Sequence, residues 1–191
     1  MNMFEPVVVA YGGPDVFNLA MPIRAMLELY HLYVHMYYCC QKRNVLDVLA
    51  GKIPDADYVV LVGGGWKDPR EGSYLVFHDL VEEVDGEWRG LDLKLHPDDI
   101  RKTVKLQGRT VVSVGCKTGS EALAEAFLDS GCRAYIGPTE EIDEDCTTMF
   151  VCAFFHYLTV EGRDRLGERE AVERARPMDS QTASYRYYTR D

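Results

Sequence analysis

TVVSVGCKTGSEALAEAFLDSGCRAYIG, residues 110–137, reads as a strand, a turn, a helix and a second strand in unbroken succession. The β-branched run Val111–Val114 ends at Gly115-Cys116, and Lys117-Thr118-Gly119 has the composition of a turn. Ala122, Leu123, Ala126 and Phe127 then recur at the spacing that puts them on one helical face. Gly131 is placed to end that helix, and Ala134–Ile136 continues to Gly137 as a second buried strand. Apolar strand, crossover helix and apolar strand make a βαβ unit, which implies a parallel sheet covered on both faces. Cys116 then stands at the carboxyl end of a parallel strand, where open α/β sheets place ligands and chemistry, and beside the N–H groups of a helix start. The competing reading is a small buried hydrophobe, the commonest use of a cysteine.

The alternation extends outward from this segment. Val7–Tyr11 is a continuous apolar strand stopped by Gly12-Gly13-Pro14, with Glu5-Pro6 leading into it. Leu19, Met21, Ile23, Met26, Leu27 and Tyr30 mark an amphipathic helix beginning near Phe17-Asn18. Tyr33–Cys40 alternates as a strand, and Asn44–Leu49 is a short helix closed by Gly51. Val59–Val62 is a further buried strand that stops at Gly63-Gly64-Gly65-Trp66. Residues 67–105 differ in character and read as an inserted hairpin and short helix. Ser73–Phe77 and the alternating Leu91–Leu95 are its strands, Val81–Gly90 is acidic, and Pro97-Asp98-Asp99-Ile100 starts its helix. Beyond Gly137, helices are expected over Asp145–Leu158 and Glu168–Arg176, the second ended by Pro177. Residues 178–191, ending SYRYYTRD, read as a surface tail or a docked edge strand. The expected architecture is one domain over 1–191, a three-layer α/β/α sandwich with a mainly parallel central sheet and flavodoxin-like topology.

Composition narrows the function classes. With 191 residues and 47% of them hydrophobic, the chain can bury one substantial core. A formal net charge of -10, with no Lys/Arg-rich patch, argues against nucleic-acid and anionic-membrane partners. No apolar stretch approaches a membrane span, and MNMFEPVVVAYGG reads as a first strand rather than a signal peptide. The six cysteines (Cys39, Cys40, Cys116, Cys132, Cys146 and Cys152) have irregular spacing that fits neither a disulfide framework nor a zinc site. Free thiols in a cytoplasmic setting are expected, with Cys39, Cys132 and Cys152 as core filler and no metal or cofactor. The glycines that end several strands form a rim suited to an anionic ligand, but neither a Gly-Lys-Ser/Thr loop nor a spaced dinucleotide fingerprint accompanies them.

The Cys116 segment resembles the clan CD, caspase-like cysteine peptidases, and most closely their bacterial CHAT branch. That pattern is a strand ending in Cys-x-Thr-Gly, a helix containing Ala-x-Ala-Phe-Leu, two glycines six apart, an acidic residue, and a helix ending in paired Phe. The residues that carry it are Cys116, Thr118, Gly119, Ala124, Ala126, Phe127, Leu128, Gly131, Gly137, Asp143, Phe154 and Phe155. A glutaminase-like cysteine fold shares a Gly-Gly strand end but fits the Phe-Leu helix and the residues from Gly137 onward less well.

The resemblance implies Cys116 as nucleophile, a general-base histidine in a His-Gly pair after the neighbouring strand, and an oxyanion hole of backbone N–H groups, here those of Cys116 and Gly65. The run YVVLV instead continues as Gly63-Gly64-Gly65, and Gly64 stands where the histidine belongs. The departure matters because a thiol near its free pKa is only a few per cent thiolate at neutral pH. An imidazole raises that fraction and protonates the leaving amine. Of His31, His35, His78, His96 and His156, His78 is the candidate substitute, since the insert that carries it can fold back over the strand ends. Glu140, Glu141 and Asp143 follow the strand ending at Gly137, where they either receive a basic substrate side chain or cap the next helix. Trp66 floors a pocket or anchors its loop, and Gly64 and Thr118 complete the candidate substrate-binding set. Two functions therefore stand side by side. One is a caspase-like peptidase acting on a peptide or protein; the other is an inactive homologue retained as a binding or signalling module in bacterial defence or stress.

Overall fold

The computed structural model describes residues 6–12, 16–159 and 166–190. The expected strand stop at Gly13-Pro14 and the lead-in at Glu5 lie outside the described residues. The chain runs β1 (Pro6–Tyr11), α1 (Phe17–Leu29), β2 (Tyr33–Tyr38), α2 (Lys42–Leu49), β3 (Tyr58–Val62), β4 (Gly64–Asp68), β5 (Gly72–Val84) and β6 (Glu87–Leu95). It continues through α3 (Pro97–Thr103), β7 (Thr110–Ser113), α4 (Glu121–Asp129), β8 (Ala134–Pro138), α5 (Glu144–Thr159), α6 (Glu168–Ala175) and β9 (Tyr185–Thr189), with 3-10 turns at Arg176–Met178 and Thr182–Ser184.

Six strands form the central sheet in the order β2-β1-β3-β7-β8-β9, parallel except for β9, which runs antiparallel to β8. Every residue of β3 and β7 is buried, as continuous apolar composition requires of strands covered on both faces. Alternate side chains feed separate cores. Val7, Val9 and Val60 pack with Leu27, Phe150, Phe154 and Val172 under α1, α5 and α6. Val8, Val59 and Val111 pack with Val45, Ile100 and Phe127 under α2, α3 and α4. Helices on both faces of a mainly parallel sheet give the expected three layers. No helix among the described residues is long and apolar enough to cross a membrane.

The insert is larger and more regular than a hairpin. β4, β5 and β6 make an antiparallel three-stranded sheet, whose first strand begins inside the glycine run at Gly64 rather than after it. Asp85 and Gly86, both at positive φ (54° and 81°), make the two-residue loop between β5 and β6, the conformation that an Asp-Gly pair favours. Leu75, Phe77, Leu80, Leu93 and Leu95 anchor this sheet in the second core.

Of the two readings of the tail, residues 185–189 take the docked edge strand. β9 pairs with β8 from Pro138–Tyr185 to Ala134–Thr189, and Tyr185 is fully buried with its ring stacked 3.5 Å from Phe150. The polar and aromatic mixture of YRYYT suits an edge strand, one side of which faces solvent.

Candidate active site

The tips of β3 and β7 meet through backbone. Val114 N–H donates to the Leu61 carbonyl at 3.2 Å, continuing the ladder one residue past β7. At Gly115 a Cβ would stand 2.6 Å from the Gly64 carbonyl carbon and 2.8 Å from the Gly63 oxygen, so only glycine permits this approach. Gly65 lies against the next residue, where a side chain would collide with the Cys116 carbonyl and the Thr118 methyl. The sulfur and the glycine corner therefore share one rim.

The turn after Cys116 is held from several directions. Lys117 adopts φ +58°, a left-handed conformation that costs a non-glycine residue about 1 kcal/mol. Its N–H donates to the Glu140 carbonyl at 2.9 Å, and Gly119 N–H donates to Pro138 at 2.7 Å. Thr118 is completely buried, with its hydroxyl donating to the Gly115 carbonyl at 2.7 Å. It shapes the turn and does not face the cleft. The helix start is also further away than expected: α4 begins at Glu121, where Leu123 N–H donates to the Ser120 hydroxyl. The sulfur is held instead by residue 142. Ile142 N–H donates to Cys116 Sγ at 3.4 Å, and the thiol donates to the Ile142 carbonyl at 3.5 Å. The N–H of Cys116 is bonded to no group among the described residues.

Cys116 opens into a cleft of about 830 Å³ whose lining includes Gly64, Gly65, Trp66, His78, Asp92, Glu141, Ile142 and Asp143. Thus Cys116, Gly64, Gly65, Trp66, His78 and Asp143 come together. Thr118 and Glu140 do not line the cleft; Glu141 takes the place expected of Glu140, whose main chain is bonded to Lys117. Glu141 pairs with Lys117 Nζ at 2.7 Å, and that ammonium lies 5.1 Å over the Trp66 ring, so Trp66 forms a wall of the cleft. Asp143 Oδ2 accepts from Gln181 Nε2 at 2.8 Å.

His78 reaches the cleft from β5. A Cβ placed on Gly64 would stand 3.4 Å from His78 Nε2 and 3.7 Å from its Cδ2, so the imidazole occupies the space beside position 64. Nδ1, on the other side of the ring, lies 3.1 Å from Asp92 Oδ2 on β6. That interaction is the main cause holding the Asp92 carboxyl below the usual carboxylate range. The remaining histidines lie elsewhere: His35 packs on Tyr33, His156 on Tyr30 and Tyr157, His96 caps α3 beside Tyr74, and His31 follows α1. Burial pushes the Cys39 and Cys132 thiols up to about 12 and those of Cys152 and Cys146 up to about 11. No group of three or more His, Cys, Asp or Glu among the described residues is arranged to hold a metal ion.

Asp92, Ile142 and Gln181 escaped the sequence reading. Asp92 had a readable signal: in Leu91-Asp92-Leu93-Lys94-Leu95 it shares the outward face with Lys94 while Leu93 and Leu95 point to the core. Ile142 acts through main chain alone, which leaves no trace in residue type.

No family model and no curated protein matches the chain. Solved structures do. The chain superposes on the Saccharomyces cerevisiae separase–securin complex with a TM-score of 0.63 at 12% identity, covering 98% of this chain and 12% of the matched one. A second structure of that complex gives 0.61 at 13% identity, over 97% and 12%. The Porphyromonas gingivalis complex of RgpB pro- and mature domains gives 0.57 at 12% identity, over 98% and 49%. The fold is caspase-like. This caspase-like unit spans less than half the length of each chain it matches, and at such identities the likeness establishes architecture alone. The fold that the sequence resemblance implies thus has a structural counterpart over almost the whole chain.

Proposed function

We propose that the cleft cleaves peptide bonds by cysteine chemistry, with Cys116 as nucleophile, His78 as acid and base, and the N–H groups of Cys116 and Gly65 as the oxyanion hole. The observation that carries this reading is the His78 ring beside Gly64, where the resembled clan CD pattern has its own histidine. The imidazole is relocated to the small sheet, and the glycine leaves room for it.

In the first step His78 takes the thiol proton and the sulfur attacks the substrate carbonyl carbon. The C–N bond then breaks as the imidazolium returns the proton to the leaving amine. In the second, His78 takes a proton from water, whose oxygen attacks the thioester. The C–S bond breaks and the thiol recovers its proton. Negative charge on the carbonyl oxygen in both tetrahedral stages falls near the free N–H of Cys116. Asp143, with one oxygen engaged by Gln181, and Glu141 make this end of the cleft suited to a basic substrate side chain. The motif from Cys116 to Phe155 supports the bacterial CHAT branch within the caspase-like fold, and six free thiols suit a reducing cytoplasm.

One observation favours the inactive, peptide-binding alternative: both hydrogen bonds of the sulfur go to Ile142, and none to His78. Thiol labelling separates the two. Iodoacetamide near pH 7, read by peptide mass spectrometry, is expected to modify Cys116 well ahead of Cys40, and a peptidyl electrophile carrying a basic residue should label it. His78→Ala should slow that labelling by about a hundredfold or more. Equal rates at Cys116 and Cys40, or indifference to His78→Ala, overturn the peptidase reading.

A further inference from the structure

We infer that Asp92 is a positioning residue that fixes the orientation and tautomer of His78, making a Cys116–His78–Asp92 triad with two members on the small sheet. The inference rests on the role given above to Cys116 and His78.

The geometry begins with a β-bulge. Phe77 pairs with Leu93 and Leu80 with Leu91, so His78 and Asp79 together oppose the single residue Asp92. Phe77 and Leu80 are both buried in one core although they are three positions apart. A regular strand, with its period of two, would turn one of them to the opposite face. The extra residue of the bulge resolves the conflict and leaves both His78 and Asp79 outside. Asp79 absorbs the irregularity at φ +53°, and its N–H turns to donate to Asp92 Oδ1 at 3.2 Å. The other carboxylate oxygen faces His78 Nδ1 at 3.1 Å. One carboxylate thus grips the backbone of the bulge and the ring that the bulge presents.

Stability does not account for this arrangement. The His78 and Asp92 side chains are 56% and 51% exposed, and a pair so open to water contributes little to folding. What it does accomplish is directional. A proton on Nδ1 facing Asp92 leaves the lone pair on Nε2, the nitrogen that stands beside Gly64 on the rim shared with Cys116. Other charges near the pair are otherwise engaged: Lys94 approaches Glu71 at 3.5 Å and lies 4.8 Å over the Tyr74 ring. The carboxyl of Asp92 is held below its ordinary range, so it is ionised near neutral pH and able to hold the Nδ1 proton.

The test uses the full chain with Asp92→Asn and Asp92→Glu. In the parent protein, long-range ¹⁵N–¹H spectra of neutral His78 should show the proton on Nδ1. Asp92→Asn should shift the population toward Nε2–H and slow covalent labelling of Cys116 by the basic peptidyl electrophile about a hundredfold or more. Asp92→Glu should recover most of both signals, and urea midpoints should match the parent. An unchanged tautomer in Asp92→Asn, or unchanged labelling when His78→Ala abolishes it, overturns the inference while sparing the peptidase reading. If Cys116 labels no faster than Cys40 but the tautomer still follows Asp92, the peptidase reading falls and the positioning stands.

Discussion

In the central sheet, Cys116 follows a strand whose residues are all buried, and the turn that carries it is fixed by main-chain contacts with Gly63, Gly64, Pro138 and Glu140. In the three-stranded sheet, His78 leaves a bulge whose polar partner stands half in solvent. The first region sets position through backbones packed too closely for any side chain. The second sets it through one side chain gripping another. A side chain placed in the first way is held by the core itself, whereas one placed in the second stands outside the core and half in solvent. The caspase-like fold thus carries glycine at position 64 with an imidazole from the small sheet beside it, in the cleft that Cys116 also lines.

The sharpest way to break this contrast is at Gly115. Gly115→Ala forces a methyl into the Gly63–Gly64 backbone and should cost about 3 kcal/mol of stability in urea unfolding, by the rule for overpacked interiors. A loss below about 0.5 kcal/mol would mean that the strand tips part easily and that Cys116 is not fixed by backbone.

A smaller effect is expected on the other side of the comparison. In Gly64→His combined with His78→Ala, the new side chain enters space the old ring has left and presses mainly on Val76 Cγ1, which would stand 2.9 Å from its Cβ. Stability should fall by about 1 kcal/mol. Electrophile labelling of Cys116 should recover at least tenfold over His78→Ala alone. No recovery would show that the two positions are not equivalent places for the imidazole.

The mildest effect is local and set by acid. Asp68 is held below the usual carboxylate range by the N–H groups of Glu71 and Arg70, and Asp92 by His78 and by Asp79 N–H. A depressed carboxyl contributes stability that is fully present above its unfolded pKa, near 4, and lost as pH falls through the lower folded value. Below about pH 4, hydrogen-exchange protection should therefore drop first at the β4–β5 turn and the bulge. β3 and β7, which contain no carboxylate, should keep theirs.

The layered fold was legible because buried parallel strands and their crossover helices write their periods directly into residue type, as in Tyr58–Val62 and Glu121–Asp129. β4 was not. Gly64-Gly65-Trp66-Lys67-Asp68 has no strand pattern and becomes a strand only because β5 pairs with it and the glycines admit Cys116. Asp85-Gly86 offered a hairpin signal within an acidic stretch that drew the reading toward surface charge. Of the site, the meeting of Cys116 with the glycine corner was visible from strand order. Asp92 was hidden because its partnership depends on a bulge, and a bulge changes register without changing composition. Glu140 and Glu141 differ by one position, and which of them faces the cleft is decided by the Lys117–Glu140 main-chain bond rather than by either side chain.

The stacking of Tyr185 on Phe150 ties the fold to the order in which the chain is made. The two rings are about 35 residues apart, so at roughly 5–20 residues per second about two to seven seconds separate their emergence from the ribosome. Through that interval the aromatic face of α5 waits for its cover, and a nascent chain that stalls there presents an adhesive surface to its neighbours.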